Sequence, residues 1–468
     1  MIAMSLAEVA EAVGGVAHGE ATLTGGAFLD TRTPEPGGLF VAIVGERVDG
    51  HDFVAEAGAA GAVAVLGTRP TALPTVVVDD VTGALGRLAR HVVDRLPEVT
   101  VLAMTGSQGK TGTKDYLAHL LGESGPTVAT RGNFNNELGV PLTVLRATPE
   151  TRYLVVEMGA RGVGHIARLC EIAPPHIAAV LNVGTAHIGE FGSRDAIARA
   201  KGEIIEALPA DGTAVLNADD DLVAAMAPRT RASVVTVGSS ARGGPVDVAV
   251  SEVTTDDIGR QSFEVVHRGS GATVHLAQIG AFQWRNAAVA AAMALAAGLD
   301  LDTVADSLAD AGPASRWRME VTERADGLVV VNDAYNANPE SMRAALETLA
   351  GIGARSGRRT VAVLGEMFEL GEGAADAHRG VGTYAAEVGV DLLVTVGAGA
   401  GRIADGFDDV GGGGVSIPTA GRDAAVTWLR HNVSAADVVL VKASRGAALE
   451  LIAEDLLAQS GTEGRRIT

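Results

Sequence analysis

The sequence predicts an α/β protein of three units, and three observations carry that reading. Short Val-rich apolar runs alternate with helical stretches along the chain, as in parallel sheets covered by helices on both faces. The 468 residues, 47% of them hydrophobic, exceed what one core organises and suggest roughly three domains of about 150 residues. Breaks near residue 98 and near Gly312 and Pro313 divide the chain into 1–98, 99–313 and 314–468.

Taken in order, the smaller first unit ends in "VTGALGRLARHVVDRL", which sets Leu85, Leu88, Ala89, Val92 and Leu96 on one helical stripe. "PEVTVLAMTG" then opens the strand that begins the central unit. Between Ser239 and Gly280, "VDVAVSEV" and "SFEVVHRGSGATVHL" read as short strands with Gly and Asp turns, so an antiparallel flap is expected inside that unit. "NAAVAAAMALAAGL", Asn286 to Leu299, is too short for the roughly 18 to 20 residues of a membrane span and reads as a packed helix. Past residue 313, "LVVVN", "TVAVLG", "DLLVTVG" and "DVVLVKAS" alternate with helices as a Rossmann-like, doubly wound unit.

The formal net charge of −20 disfavours nucleic acid and anionic membranes as partners. Cys170 is the only cysteine, so no internal disulfide forms, and the first residues lack the basic and apolar regions of a signal peptide. A cytoplasmic monomer is expected.

The chemistry starts at "MTGSQGKTGTKD", Met104 to Asp115. A phosphate cradle needs glycines for close backbone approach, inward N–H groups, a Lys for the outer phosphates and a hydroxyl for magnesium. Gly106, Gly109, Lys110 and Thr111 supply these, within a loop of Thr105, Gly106, Ser107, Gln108, Gly109, Lys110, Thr111 and Gly112. The common G-x-x-x-x-G-K-T/S spacing would put a glycine at 104, where Met104 stands. Glu157 ends the apolar run "YLVVE", a position suited to a metal-binding acid, and His187 follows another such run. Lys201 lies on the helical stripe of Ile197, Ile204, Ile205 and Leu208. It is either a snorkelling surface lysine or a desolvated amine able to become a carbamate, which is a metal ligand. In "VVVNDAYNANPESMRAAL", Asp333, Asn336 and Asn338 precede a helix opened by Pro339, either as ligand contacts or as a helix cap.

The succession "TGSQGKTGTK", "TRGNFNNELGVPLT", "VVEMGARGVGHI", "NVGTAHIGEFGSRDAIARAKGEI", "LNADDD", "NDAYNANPESM", "LGEMFELG" and "VLVKASRG" resembles the Mur ligases of peptidoglycan synthesis. The resemblance covers essentially the whole chain. "GNFNNELGVPLT" and "DAYNANPESM" resemble the member that joins D-alanyl-D-alanine to UDP-N-acetylmuramoyl-tripeptide. It implies that Lys110 meets the outer phosphates of ATP, that Thr111 and Glu157 hold one magnesium ion, and that His187 and a carbamylated Lys201 hold a second. It further implies nucleotide contacts from Asn286, Arg318, Asp333, Asn336 and Asn338. Substrate contacts are implied for Thr31, Arg32 and His51 at the UDP end, and for Asn135, Asn136, Lys442, Ser444 and Arg445. The implied reaction runs through an acyl phosphate that the dipeptide amine attacks. Two departures stand out: Phe282 where the family commonly has histidine, and Gly112 in place of Ser or Thr. A sister ligase adding one amino acid, or a catalytically silent nucleotide switch, are the rival expectations.

Overall fold

The computed structural model describes residues 1–185, 188–242, 245–458 and 465–466. Three sheets organise it. The first has the strand order Val16–His18, Thr75–Val77, Ala64–Gly67, Leu39–Val41, Ala27–Phe28, parallel except at Val16–His18. The helix Val81–Asp94 follows, its first turn capped by the Asp80 carboxylate, which accepts from Gly83 N at 3.0 Å. Such a cap is worth about 1 kcal/mol. The predicted stripe is buried, with Leu85, Leu88, Ala89 and Val92 fully inaccessible. That stripe does not close on its own unit alone. One apolar cluster runs from Met1 and Leu6 through Leu85 and Leu88 to Val140, Ile166, Ile197 and Ala232.

The central sheet has nine strands, and their order sets up the site. It runs Thr127–Ala129, Tyr153–Glu157, Thr100–Thr105, Ile177–Val180, Thr213–Asn217, Ser233–Ser239, Val248–Thr255, Arg260–His267, Ser270–Ile279. Pairing is parallel up to Val248–Thr255 and antiparallel beyond it. The antiparallel strands expected between 239 and 280 therefore prolong the main sheet. Thr100–Thr105 lies between Tyr153–Glu157 and Ile177–Val180, so the segments leaving all three strands meet at one edge. The expected small-apolar helix spans Gln283–Ala296 and is buried from Asn286 to Ala294.

In the third sheet the order is Val415–Thr419, Leu392–Val396, Arg359–Leu364, Asp437–Lys442, Val329–Asn332, Glu320–Glu323, Arg465–Arg466. The first five strands are parallel, and the last two pair antiparallel. All four strands predicted in this unit are present. Among the described residues, no helix is long and apolar enough to cross a membrane.

Helices Ala374–Glu387 and Gly401–Val410 cover one face of this sheet and approach closely through facing glycines. A Cβ on Gly382 would lie 1.8 Å from the Ile403 carbonyl oxygen, and one on Gly406 2.0 Å from that of Arg379. The first helix also carries His378, whose Nε2 accepts from Met367 N at 2.9 Å and fixes the loop after Arg359–Leu364. Gly382→Ala should therefore cost about 3 kcal/mol by overpacking. Gly401→Ala, where an added Cβ meets nothing within 4 Å, should leave the urea midpoint unchanged or slightly raised. Equal midpoints for the two variants would refute the close packing.

Candidate active site

The phosphate cradle follows from strand pairing. Met104 is buried and still in register with Glu157, so the chain at 104 is strand and the loop begins only at Gly106. Gly109 has φ 80° and opens the helix Lys110–Ser124; a Cβ there would stand 2.4 Å from Asn286 Oδ1. Glycine answers both demands. Asn182, just past the strand Ile177–Val180, braces the loop. Its Oδ1 accepts from Ser107 N and Gln108 N, each at 3.0 Å, and its Nδ2 donates to Gln108 O at 3.1 Å. Gly184 N donates to Ser107 Oγ at 2.8 Å. Lys110 Nζ folds back to donate to Gly106 O at 2.7 Å. Burial pushes its pKa down, Glu157 opposes that, and Arg318 adds to it.

Gly112 leaves room for Asn286, whose Nδ2 would lie 3.0 Å from an added Cβ and donates to Gln283 Oε1 at 3.1 Å. Its smallness thus lets the two helices approach. Phe282 packs against the core of the third unit. Beside the loop is a cavity of about 400 Å³ whose lining includes Asn182, Asn217, Asp219, Trp284, Arg285 and Asn286. That volume suits a nucleoside. The Arg285 guanidinium carbon lies 4.4 Å above the Trp284 ring. Sequence reasoning missed Asn182, Trp284 and Arg285; only the position of Asn182 at a strand's carboxyl end could have marked it.

Glu157 is 1% exposed and carries the cradle's acidic side. Thr111 Oγ1 donates to its Oε2 at 2.9 Å, Asn135 Nδ2 donates to its Oε1 at 2.7 Å, and its own N–H goes to Thr130 Oγ1 at 3.1 Å. The carboxylate makes no ion pair among the described residues. A buried carboxylate beside a hydroxyl is a hard-oxygen donor set and fits magnesium. Arg318 Nη2 donates weakly to Thr111 Oγ1 at 3.4 Å, and its guanidinium carbon lies 4.2 Å above the Tyr335 ring.

Lys201 is no surface lysine. It sits on the helix Arg194–Glu206, 5% exposed, beside Ile197, Ile204 and Ile205, which are fully buried. Burial, and then the charge of Lys110, hold its pKa well below the ordinary lysine value. It makes no ion pair among the described residues. His187 lies outside the described residues. No group of three or more His, Cys, Asp or Glu gathers to hold a metal among the described residues.

In the third unit, Lys442 Nζ donates to Asp333 Oδ2 at 2.6 Å and to Asn336 O at 2.8 Å. Burial lowers the Lys442 pKa, and Asp333 opposes this. The Asn336 side chain is exposed. Asn338 caps the helix Pro339–Ser356 in a reciprocal capping box with Ser341, its Oδ1 accepting from Ser341 N at 2.8 Å. Asn136 Oδ1 accepts from Leu138 N at 3.3 Å and from Gly139 N at 2.9 Å, in the turn that leads into Gly139–Val144. Ser444 Oγ accepts from Phe368 N at 2.9 Å. Glu340, in the first turn of Pro339–Ser356, accepts from Thr185 N at 2.9 Å and ties this unit to the segment beside the cradle.

At the expected UDP end, Thr31 is half-buried and Arg32 pairs with Asp30 at 2.6 Å. His51 Nδ1 bonds Asp49 Oδ1 at 2.6 Å and Nε2 accepts from Thr68 N at 3.1 Å. The three residues share a unit without forming a shared polar contact among the described residues.

Comparison with known proteins bears directly on this arrangement. The Mur ligase middle domain pattern matches residues 104–294, the Mur ligase glutamate ligase domain 317–445, and the Mur ligase family catalytic domain 26–101. The chain belongs to the Mur ligase family. Among these ligases it is 44% identical to the UDP-N-acetylmuramoyl-tripeptide–D-alanyl-D-alanine ligase of Mycobacterium tuberculosis, over 98% of each chain. A crystal structure of MurF from Acinetobacter baumannii superposes with a TM-score of 0.85 at 32% identity, covering 98% of this chain and 99% of that one. MurF from Thermotoga maritima, in complex with ADP, gives 0.77 at 31% identity, covering 92% and 96%.

Asn182→Ala should unbrace Ser107 and Gln108 while sparing the sheet beneath them. A loop misplaced by about 1 Å costs on the order of 10²-fold. The expected outcome is a loss of about 10- to 100-fold in kcat/KM for ATP with unchanged circular dichroism. Wild-type kinetics would show that Asn182 does not hold the cradle.

Proposed function

We propose that this Mur ligase is an ATP-dependent, ADP-forming peptide ligase that joins D-alanyl-D-alanine to UDP-N-acetylmuramoyl-tripeptide in peptidoglycan synthesis. The observation that carries the reading is full-length similarity to ligases of that specificity, with an intact Gly106–Thr111 cradle set against Glu157. We assign 1–98 to the uridine nucleotide, 99–313 to ATP, and 314–468 to the incoming dipeptide. A cytoplasmic location suits these substrates.

The chemistry asked of the chain is positioning and charge balance. The loop N–H groups and Lys110 receive the ATP phosphates; Lys110 must leave the Gly106 carbonyl to do so. Arg318, held on Tyr335 beside Thr111, is placed to steady the transferring phosphoryl group. Thr111 and Glu157 would hold one magnesium ion, and the Lys201 carbamate with His187 a second. Magnesium supplies neutralisation where a carboxylate must approach a triphosphate. The tripeptide carboxylate takes the γ-phosphoryl group, and the dipeptide amine then displaces phosphate from the acyl phosphate. The contact of Glu340 with Thr185 is where the third unit can shut on the cradle and exclude water from that intermediate.

Phosphate release should require ATP, UDP-tripeptide and D-alanyl-D-alanine together. ATP binding without peptide-dependent release would leave only a nucleotide switch, and release with single amino acids would indicate a sister ligase.

The Lys201 carbamate has its own test. Bare ammonium in this apolar setting is costly, the neutral amine reacts with carbon dioxide, and the carbamate presents hard oxygens. Lys201→Ala should lose most activity and regain part of it in buffer containing short carboxylates. Lys201→Arg should stay inactive, because guanidinium keeps the wrong charge. An active Arg variant would end the carbamate reading.

A further inference from the structure

The connector between the central and third units carries backbone that bulky residues rarely adopt. Trp317 has φ 58° and Met319 φ 49°, so two large residues in the left-handed region flank Arg318. Sheet pairing does not ask for this. The strand Glu320–Glu323 pairs antiparallel with Val329–Asn332, starting with Glu320 opposite Asn332, a ladder that needs only extended backbone. Just before it, side chains take over as acceptors: Met319 N donates to Asp333 Oδ1 at 3.1 Å, and Trp317 N donates to Glu320 Oε2 at 3.2 Å. At the other end of the connector, Lys114 Nζ of the cradle helix donates to Ser315 Oγ at 3.5 Å.

Arg318 is the side chain that this turn delivers. Its Nη2 donates to Thr111 Oγ1 at 3.4 Å, and Thr111 in turn donates to Glu157, so the guanidinium stands at the cradle itself. Its Nε is buried without a hydrogen-bond partner among the described residues. A buried N–H left open beside a phosphate cradle is a donor held for an anion. The platform under the guanidinium belongs to the same turn: the Tyr335 ring lies 4.2 Å below it, and Tyr335 N donates to the Trp317 carbonyl at 3.2 Å. Strained backbone persists only where its surroundings over-determine it, and here the determining contacts converge on one cation.

We propose that Glu320 is a positioning residue for phosphoryl transfer: it holds Trp317 N, keeps the turn left-handed and so sets Arg318 against Thr111. This rests on the ligase reading above and adds a residue that acts through Arg318. Without that acceptor Trp317 and Met319 would relax toward negative φ, and the Arg318 backbone would rotate with them. An arginine displaced by about 1 Å loses its hold on the transferring group, at a cost on the order of 10²-fold. What matters in Glu320 is reach and an acceptor oxygen, because a backbone N–H needs no charge opposite it. Glutamine supplies both; aspartate is one methylene too short.

The test follows ADP release by the full chain with ATP, UDP-tripeptide and D-alanyl-D-alanine. Glu320→Ala and Glu320→Asp should each lower kcat by about 10- to 100-fold with KM for ATP within about threefold, because the interaction lost is made in the transition state. Glu320→Gln should restore kcat to within about threefold of the wild type. Arg318→Met should lower kcat at least as far as Glu320→Ala, and the double variant should lose no more than Arg318→Met alone, since one residue works through the other. A merely structural glutamate would instead give losses that multiply. If Glu320→Ala does not fold, Glu320→Asp against Glu320→Gln decides the matter. Wild-type kcat in Glu320→Ala or Glu320→Asp, multiplying losses in the double variant, or a Glu320→Gln enzyme as slow as Glu320→Asp would overturn the proposal. If the wild type gives no ADP with all three substrates, the ligase reading fails first and this proposal with it.

Discussion

A buried carboxylate is costly unless hydrogen bonds and nearby charge hold it, and Glu157 is the point around which the cleft is arranged. Its strand is paired with the one that leads into the phosphate cradle, so the acid and the loop emerge together. Hydrogen bonds from Thr111 and Asn135 hold both carboxylate oxygens. Those donors come from the cradle helix and from the loop after Thr127–Ala129, so three segments converge on one charge. Lys110 and Lys201 stand close enough to influence one another. Two buried amines and one buried acid thus face the same cleft.

Much of the fold was legible because its signals are local. Apolar runs such as "TVAVLG" become strands since both faces of a parallel sheet are covered, and the stripe of Leu85, Leu88, Ala89 and Val92 is buried as its period requires. The cradle was readable for the same reason: glycines, Lys110 and Thr111 are contiguous. Met104 could stand where a glycine is usual because that residue is still strand, a fact of register that spacing alone does not show.

The rest depends on contacts between distant segments. Asn182 reads as an ordinary polar residue until the strand order brings it to Ser107 and Gln108, 74 and 75 residues away. The partners of His51 were likewise hidden: Asp49 is close in sequence, but Thr68 N reaches the ring only once the strands Leu39–Val41 and Ala64–Gly67 pair. Asn338 left two readings open, and its capping box with Ser341 uses the amide oxygen. Lys201 also had two readings; the depth of its burial decides against the surface one.

The apolar cluster shared by the first and central units carries a consequence for synthesis. The helix Val81–Asp94 is complete early, but the cluster that covers its stripe extends to Ala232. At roughly 5–20 residues per second, the ribosome needs about 7 to 30 s to supply the intervening chain. Throughout that interval Leu85, Leu88 and Val92 lack part of their final covering. The stripe of the first unit is thus fully covered only after the strands and helices of the central sheet have been made.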